Sequence, residues 1–476
     1  MFDRNTRRIM SGPVAWEVAR FGLPLALGMG LQTAFNIVDA FLISRLEHQV
    51  AGPALGAIGI CDQVAALGSI VSYGLSVATA AIMSRRLGRG DFAGMRRIAW
   101  QSLLLVGALG LVFGLIGILG ARTLVVHLVG AKGGVAVLGT RYLRVLVGGS
   151  ITIFLLLHLT TIQRALGSSK TPVTILVSAN ALNLVLAVLL VYGPGSAPPV
   201  FAWGPPIAAA LGIPRLELMG AAWATLIARL VLLIPLVIVL VRRFRLFLRD
   251  SRERPDPKAM GAILRIGWPS STQLVIRILA MLLIHSLVAR AYTTPQDQSA
   301  TTALGIVFRL ETMALFVGLG WGSAAQTFVG QNLGAQNPHR AKLSGWYAAL
   351  FNVAMMLLLA LAYHAWGYQI IAFFDDDASV VDVGLSYLHW VAFSYVGLGI
   401  GIVLGAAMQG AGATRQTLLL DAAVVFLFQL PALGALYALG RGYERVWQVV
   451  ALTYISFAIV YIVAYQRGRF LSTVVA

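Results

Sequence analysis

Four acidic residues lie well inside long apolar runs of this sequence. They are Asp39, Asp62, Glu311 and Asp421. A charged group inside a bilayer is energetically costly and is usually retained for function. A carboxyl group in such a low-dielectric site is able to gain and lose a proton near neutral pH. We therefore consider these acids first as candidates for binding a coupling cation.

Asp39 shares a polar strip with Gln32 and Asn36, because spacings of four and then three residues place side chains on one helical face. A carboxylate and two amides on one face form a candidate site for cation coupling and for substrate contact. The alternative is a carboxylate held by hydrogen bonds that serve only helix packing.

Glu311 lies in the run Phe308-Arg309-Leu310-Glu311-Thr312. Arg309 and Thr312 are its nearest polar neighbours, and buried charges usually have partners. Glu311 is therefore either a second cation-coupling residue or one half of a structural ion pair with Arg309. We assign Asp62 to the membrane interface and expect Asp421 to reach water near a membrane face.

The rest of the chain is predominantly apolar. Of its 476 residues, 58% are hydrophobic and 11% are charged, against about 25% charged residues in a soluble domain. Mean hydropathy is +0.82. A membrane span needs about 20 apolar residues. This length identifies twelve segments: 18–44, 54–83, 98–120, 138–162, 171–193, 219–241, 264–289, 302–329, 343–366, 383–408, 418–440 and 446–466.

The excess of basic residues predicts an orientation. The chain has 36 Lys and Arg against 18 Asp and Glu. With the N-terminus inside, the inner connections hold 24 of the 36 basic residues and the outer connections hold 8. This asymmetry follows the positive-inside rule and places both termini in the cytoplasm. It also makes nucleic-acid binding an unnecessary explanation for the net charge of +18.

Landmarks of the first half return in the second half at an offset of 245 or 246 residues. They are Arg20, Gly22 and Pro24 with Arg265, Gly267 and Pro269; Leu87-Gly88 and Trp100 with Leu333-Gly334 and Trp346; Tyr142-Leu143 with Tyr387-Leu388; and Gln163 with Gln409. We predict an all-α membrane protein with twelve transmembrane helices in two pseudo-symmetric six-helix bundles. The bundles are residues 1–241 and 264–476, joined by a cytoplasmic linker, 242–263. Parallel repeats of this kind suit alternating access.

The sequence motifs of common enzymes are absent. There is no P-loop signature, no HExxH and no Gly-x-Ser-x-Gly elbow. The single cysteine, Cys61, excludes an intramolecular disulfide and a cysteine-based zinc site. His158, His285 and His389 are candidate proton relays, although hydrogen-bonded packing is their commoner role. We expect no enzymatic activity, no metal and no cofactor other than a coupling ion.

Several motifs resemble the multidrug and toxic compound extrusion (MATE) transporters. They are VGQNLGA at 329–335, FRLE ending at Glu311, GAAWAT at 220–225, and the spacing from Pro24 to Asp39. The resemblance implies an antiporter that exports amphipathic, often cationic compounds, driven by inward flow of protons or sodium. It also implies that Asp39 couples cations in the N-terminal lobe, and that Glu311 matches the acid used in the C-terminal lobe by other branches.

One departure concerns the fifth segment. The family pattern there is often Asn, three residues, then Asp-Pro, whereas Asn183 is followed by Ala187-Val188. Asn180 and Asn183 remain as the polar partners for a cation at Asp39. Sodium needs several oxygen ligands and a proton needs one carboxyl group, so the shortage of acids favours proton coupling slightly.

We expect an inner-membrane, multi-pass exporter of small amphipathic and cationic compounds. Substrate contacts are expected from Gln32, Asn36, Asp39, Arg309 and Glu311. The expected partners are the small-molecule substrate and membrane lipid, and the chain is expected to work as a monomer. One alternative is a flippase for a lipid-linked saccharide, with a basic cavity formed by Arg144, Arg229, Arg277 and Arg309. A membrane enzyme or passive pore is disfavoured by the repeat.

Overall fold

The computed structural model describes residues 4–46, 48–128, 130–247, 254–294 and 296–473. Side chains are described for these residues except 33–40, 48–53, scattered positions between 55 and 69, and 128. Within the described residues the regular structure is helical throughout, and no strand is present.

The first half contains nine helices. They are α1 (Arg4–Ser11), α2 (Val14–Ser44), α3 (His48–Gly88), α4 (Phe92–Arg122), α5 (Gly133–Gly148), α6 (Ser150–Ala165), α7 (Lys170–Tyr192), α8 (Gly204–Ala210) and α9 (Leu218–Phe244). The second half contains eight. They are α10 (Pro257–Ala291), α11 (Ser299–Gly334), α12 (Pro338–Ala372), α13 (Ala378–Val391), α14 (Tyr395–Gly410), α15 (Thr414–Val424), α16 (Leu430–Ala438) and α17 (Tyr443–Arg467).

The predicted membrane architecture is confirmed. Ten segments of the described chain are long and apolar enough to cross a bilayer, and α5 with α6, bent by 42°, makes an eleventh. The second predicted segment, 54–83, lies within α3, which has 41 residues and is about 60 Å long. Two of the ten crossings are broken helices: a 3₁₀ turn, Ala392–Ser394, joins α13 to α14, and a π-helical turn, Val425–Gln429, joins α15 to α16.

The repeat in the sequence is visible in how equivalent helices begin. The Asp91 side chain accepts a hydrogen bond from the Gly94 amide at 2.8 Å and caps α4. Asn337, 246 residues later, accepts from the Arg340 amide at 3.0 Å and caps α12. Such side chains satisfy amide groups that the first helical turn leaves without a partner. Both copies of the repeat therefore use the same local signal to start the third span.

The two halves meet through equivalent helices, since α2 packs on α11 and α3 packs on α10. Gly320 of α11 lies against the backbone of Leu25 and Ala26, and Gly74 of α3 lies against Gly267 and Ser271. A side chain at either glycine would clash with this backbone, so glycine allows the helices to approach closely. We call the membrane face that carries residues 245–247 and 254–256 the linker face.

The described contacts between the halves lie near the linker face. At the ends of α3 and α11, a Cβ atom on Gly334 would come within 3.0 Å of the Cα of Gly88. The Ser271 hydroxyl also donates to the carbonyl of Ile70 at 3.1 Å. The cleft between the halves is therefore closed at the linker face.

Candidate functional site

Glu311 of α11 is enclosed by tyrosines from other helices of the second half. It is 7% exposed. Tyr387 of α13 donates to its Oε2 atom at 2.6 Å, and Tyr454 of α17 donates to Oε1. The hydroxyl of Tyr395, at the start of α14, is buried within electrostatic range of Glu311 and has no hydrogen-bond partner. One carboxyl group therefore links three helices in an apolar site.

The alternative assignment of Glu311 to a structural ion pair with Arg309 is wrong. Arg309 is exposed, and its guanidinium carbon lies 6.0 Å from the centroid of the Phe374 ring. Residues two positions apart point to opposite sides of a helix, which explains why Arg309 turns away. Thr312 donates instead to the carbonyl of Phe308 at 2.7 Å. Glu311 thus has no cationic partner among the described residues.

A second buried acid, Asp421 of α15, forms an ion pair with Arg277 of α10. The Arg277 Nη2 atom donates to Oδ1 at 3.2 Å, and Nε donates to Oδ2. Gln273 donates to Oδ2 at 2.9 Å and Tyr461 donates to Oδ1 at 2.6 Å. Asp421 has no exposed surface, so the prediction that it reaches water is wrong. Its charge is tolerated because it accepts four hydrogen bonds from three side chains, one of which is cationic.

Two arginines lie within electrostatic range of a tyrosine where the two halves meet. Tyr73 of α3, next to the interlobe contact at Gly74, is within electrostatic range of Arg277 and of Arg164 at the end of α6. The Arg277 side chain is 23% exposed, and Arg164 is half-buried. Arg164 donates to the Thr161 hydroxyl at 2.5 Å and pairs with no acid in the described part of the chain. We call Tyr73, Arg164 and Arg277 the cleft floor.

Only part of the candidate cation site around Asp39 lies within the described residues. Asp39 and Asn36 belong to α2, but their side chains lie outside the described residues, as does that of Asp62. Gln32 is half-buried on the same helix. These residues stay predictions for cation coupling and substrate contact.

The two asparagines of α7 are described. Asn183 accepts a hydrogen bond from the Thr225 hydroxyl of α9 at 3.2 Å. Asn180 is half-buried one turn away. Thr225, which ends the GAAWAT run, is thus a polar neighbour of Asn183 that the sequence analysis did not single out. The partnership of either asparagine with Asp39 stays a prediction.

His158, a buried histidine of the first half, is held by hydrogen bonds to two serines. His158 has no exposed surface, and its Nδ1 and Nε2 atoms hydrogen-bond with Ser76 at 3.1 Å and Ser102 at 3.0 Å. Cys61 is buried and donates to the carbonyl of Gly139 at 3.4 Å. Among the described residues, no three His, Cys, Asp or Glu side chains are grouped to hold a metal ion.

Two solved structures share this architecture over nearly the whole chain. One, a MOP superfamily transporter from Pyrococcus furiosus described as having a binding pocket of reversed polarity, has a TM-score of 0.86, 22% identity and 100% coverage of both chains. The other, a MATE transporter in an outward-facing conformation, has a TM-score of 0.84, 22% identity and 98% coverage of both chains. The fold is therefore that of a two-lobed membrane transporter.

The sequence comparisons identify the family. The MatE family model matches residues 24–189 and 275–433. A probable multidrug resistance protein of Bacillus subtilis, YpnP, is 25% identical over 96% of each chain. An FAD transporter of Shewanella oneidensis is 26% identical over 91% of each chain. The chain belongs to the MATE family and is a multi-pass membrane transporter.

Proposed function

We propose that this transporter is a secondary antiporter that exports small amphipathic compounds in exchange for protons, with Glu311 as a coupling carboxyl. The observation that carries the proposal is the enclosure of Glu311 by Tyr387 and Tyr454 without a cationic partner. Charge in such a site is costly unless a proton or a metal cation neutralises it.

The geometry supports a link between the proton and helix packing. An ionised Glu311 accepts hydrogen bonds from Tyr387 and Tyr454 at the same time. A protonated carboxyl group gains one O–H donor and is a weaker acceptor, so its hydrogen bonds from the two tyrosines weaken and its own proton needs an acceptor. The hydroxyl of Tyr395 is the neighbouring polar group with which a new hydrogen bond can form. Proton binding therefore favours a different arrangement of α11, α13 and α17, as an alternating-access cycle requires.

Protons are favoured over sodium at this site. Glu311 and the hydroxyls around it supply few oxygen atoms, whereas hard metal cations take six or more oxygen ligands. We propose Asp39 as a second coupling residue in the first lobe, with Asn183, Asn180 and Thr225 as its polar neighbours.

We place the linker face in the cytoplasm of a cell with an inner membrane, because the basic connections lie on that side. A closed cytoplasmic face is expected of the outward-facing state of the cycle, in which protons reach the coupling residues from outside. Because one chain supplies both lobes, the antiporter is proposed to work as a monomer without a cofactor.

Transport in proteoliposomes tests the proposal, with proton and sodium gradients imposed separately and the fluorescent cation rhodamine 6G as cargo. We expect export under the proton gradient and its loss in Glu311→Gln. Glu444→Gln, the same change at an exposed position of α17, is the matched control and should transport normally. Full proton-driven transport by Glu311→Gln would overturn the coupling role, and transport driven by sodium alone would replace the proton.

A second candidate cargo is an amphipathic anion. The cleft floor supports it, since Arg164 has no acidic partner among the described residues while Arg277 is already paired with Asp421. The relatives include an FAD transporter and a transporter whose pocket polarity is described as reversed. The proposal of a cationic cargo rests only on the carboxylates. Of these, Glu311 is enclosed by tyrosines.

A flippase for a lipid-linked saccharide would be a special case of a transporter with an anionic cargo. The four arginines on which it rested do not share a cavity, because Arg144 and Arg309 are exposed and Arg277 pairs with Asp421. The two cargo classes are separated by comparing rhodamine 6G with flavin mononucleotide in the same vesicles. If the anion is the cargo, Arg164→Gln should lower its transport about tenfold, while Arg144→Gln should leave it unchanged.

A further inference from the structure

A cavity of about 360 Å³ opens at the linker face, away from the cleft floor and from Glu311. Its walls come from the ends of several helices of the first lobe and from α1. Leu87, Phe92, Met95, Leu166 and Phe244 are apolar residues of the lining. Arg96, Arg243 and Arg245 are its basic residues. Such a lining is amphipathic and strongly basic.

The arginines are held in place by the local backbone. Arg245 ends α9 with φ of 53°, a left-handed conformation, and its amide donates to the Val241 carbonyl at 3.1 Å. The next two residues, Leu246 and Phe247, are buried. The Phe247 ring lies 6.5 Å from the Trp100 ring of α4. The turn is thus anchored on both sides, and it presents Arg245 beside Arg96 in the cavity.

Among the described residues, no acidic side chain lines the cavity. The described acids nearby already have other partners: Asp91 pairs with Arg86 at 3.3 Å, and Asp256 pairs with Arg97 at 2.8 Å. Guanidinium groups bind phosphate through charge-assisted, often bidentate hydrogen bonds. The apolar wall beside them matches a hydrocarbon chain. We propose that this cavity binds a phosphate group, and that its ligand is the headgroup of an acidic phospholipid.

The position of α1 gives the bound phosphate a structural consequence. Thr6 of α1 lines the cavity, and α1 is tied to the second lobe because Arg340 donates twice to the Ile9 carbonyl at 3.1 Å. Arg96 and Arg245 belong to the first lobe. A ligand in the cavity therefore contacts the first lobe directly and is linked to the second lobe through α1, and it stabilises the conformation that is closed at the linker face.

Thermal unfolding of the purified protein in neutral detergent tests the site. The added compounds are dioleoyl phosphatidylglycerol, dioleoyl phosphatidylcholine, sn-glycerol 3-phosphate and inorganic phosphate. We expect phosphatidylglycerol to raise the melting temperature in a concentration-dependent way and phosphatidylcholine to have little effect. Arg96→Gln/Arg245→Gln should lower the apparent affinity for phosphatidylglycerol at least about tenfold.

The matched control is Arg415→Gln, an exposed arginine at the linker end of the second lobe that lies outside the cavity. It should bind phosphatidylglycerol as the unmodified protein does. Arg96→Lys/Arg245→Lys keeps both charges and serves if the glutamine variant fails to fold; it should retain part of the affinity.

The outcomes separate the two sources of phosphate. Stabilisation by the lipid alone assigns the site to a headgroup with its chain, and equal stabilisation by glycerol 3-phosphate or inorganic phosphate assigns it to a soluble phosphate. Equal responses to phosphatidylglycerol and phosphatidylcholine would overturn the proposal, as would unchanged phosphatidylglycerol binding in the doubly substituted variants.

Discussion

Arg85 and Gln331 occupy equivalent positions of the two repeats and bind equivalent carbonyl groups across the lobe interface. Arg85 of α3 donates to the carbonyl of Ala411 at 3.1 Å. Gln331 of α11, 246 residues later, donates to the carbonyl of Ala165 at 2.8 Å. Ala165 and Ala411 are themselves 246 residues apart. One hydrogen bond and its pseudo-symmetric copy therefore join the two lobes at the closed linker face.

The two copies differ in charge. Arg85 also donates to the carbonyl of Thr473 at 2.5 Å, which follows the buried Phe470. The Phe470 ring stacks on Tyr465 of α17 at 4.5 Å. The C-terminal turn, Arg469–Ser472, is thus fixed to the second lobe through Phe470. The residue that follows it, Thr473, is fixed to Arg85 of the first lobe. Opening of the linker face must break this contact.

We predict that Arg85→Gln shifts the population away from the closed linker face. Hydrogen bonds to charged groups contribute about 1.5–3 kcal/mol, so the ratio of closed to open molecules should fall by about tenfold or more. Spin labels at Arg89→Cys and Ala335→Cys, in a Cys61→Ala background, report the distance across this face. Arg86→Gln, whose native partner Asp91 lies in the same lobe, should leave the distances unchanged. An unaltered distance distribution in Arg85→Gln would contradict the prediction.

The glycine contact between α2 and α11 supports a second prediction. Gly320→Val places side-chain atoms against the backbone of Leu25 and Ala26, and we expect destabilisation of about 1–3 kcal/mol with loss of export. Gly305→Val is the matched control, because it makes the same change on the same helix where no atom lies within 4 Å of a new Cβ. Melting temperature and transport measure the two effects. Equal losses for both variants would show that helix propensity, and not the interlobe contact, is responsible.

The fold was largely predictable because its signals are repeated along the chain. Apolar segments of span length set the number of crossings, and landmarks such as Gly88 and Gly334 revealed the two halves. The bends within spans were not predictable. Gly149 interrupts α5 and α6, yet similar glycines lie within unbroken helices such as α11. Whether a glycine breaks a helix depends on tertiary packing, which the sequence pattern does not contain.

Of the candidate site, only the acidic residues were predictable from the sequence. Glu311 and Asp421 stand out because charge is rare inside apolar runs. Their partners carry no such signal: Tyr387 and Tyr454 lie 76 and 143 residues from Glu311, and Arg277 lies 144 residues from Asp421. Tyrosines are common in membrane helices, and only the folded arrangement shows which of them meet a carboxylate.

A third prediction concerns the pair formed by Asp421 and Arg277. Removing one partner leaves a buried charge without compensation, so Asp421→Asn should destabilise the protein by about 3–5 kcal/mol. The double variant Arg277→Gln/Asp421→Asn removes both charges and should recover much of this loss. Thermal unfolding of the two single variants and the double variant forms a double-mutant cycle. Additive losses would mean that the two side chains do not interact in the membrane.

A final prediction addresses whether the first lobe couples protons as well. If Asp39 carries a proton through the cycle, Asp39→Asn should abolish proton-driven export and leave folded monomer in the membrane, since the amide has the same shape and no charge to neutralise. Asp297→Asn is the matched control. Hydrogen bonds from Ser299 hold the pKa of Asp297 below its usual value, so this exposed residue stays ionised at neutral pH and takes no part in proton exchange.

Proton uptake during export, followed with a pH-sensitive dye inside the vesicles, separates the contributions of the two lobes. With one coupling residue in each lobe, Asp39→Asn and Glu311→Gln should each lose export yet keep the proton uptake of the remaining coupling residue, and the double variant should take up no protons. Normal proton-driven export by Asp39→Asn would leave Glu311 as the coupling residue of this transporter. The polar strip of α2 would then serve helix packing or substrate contact alone.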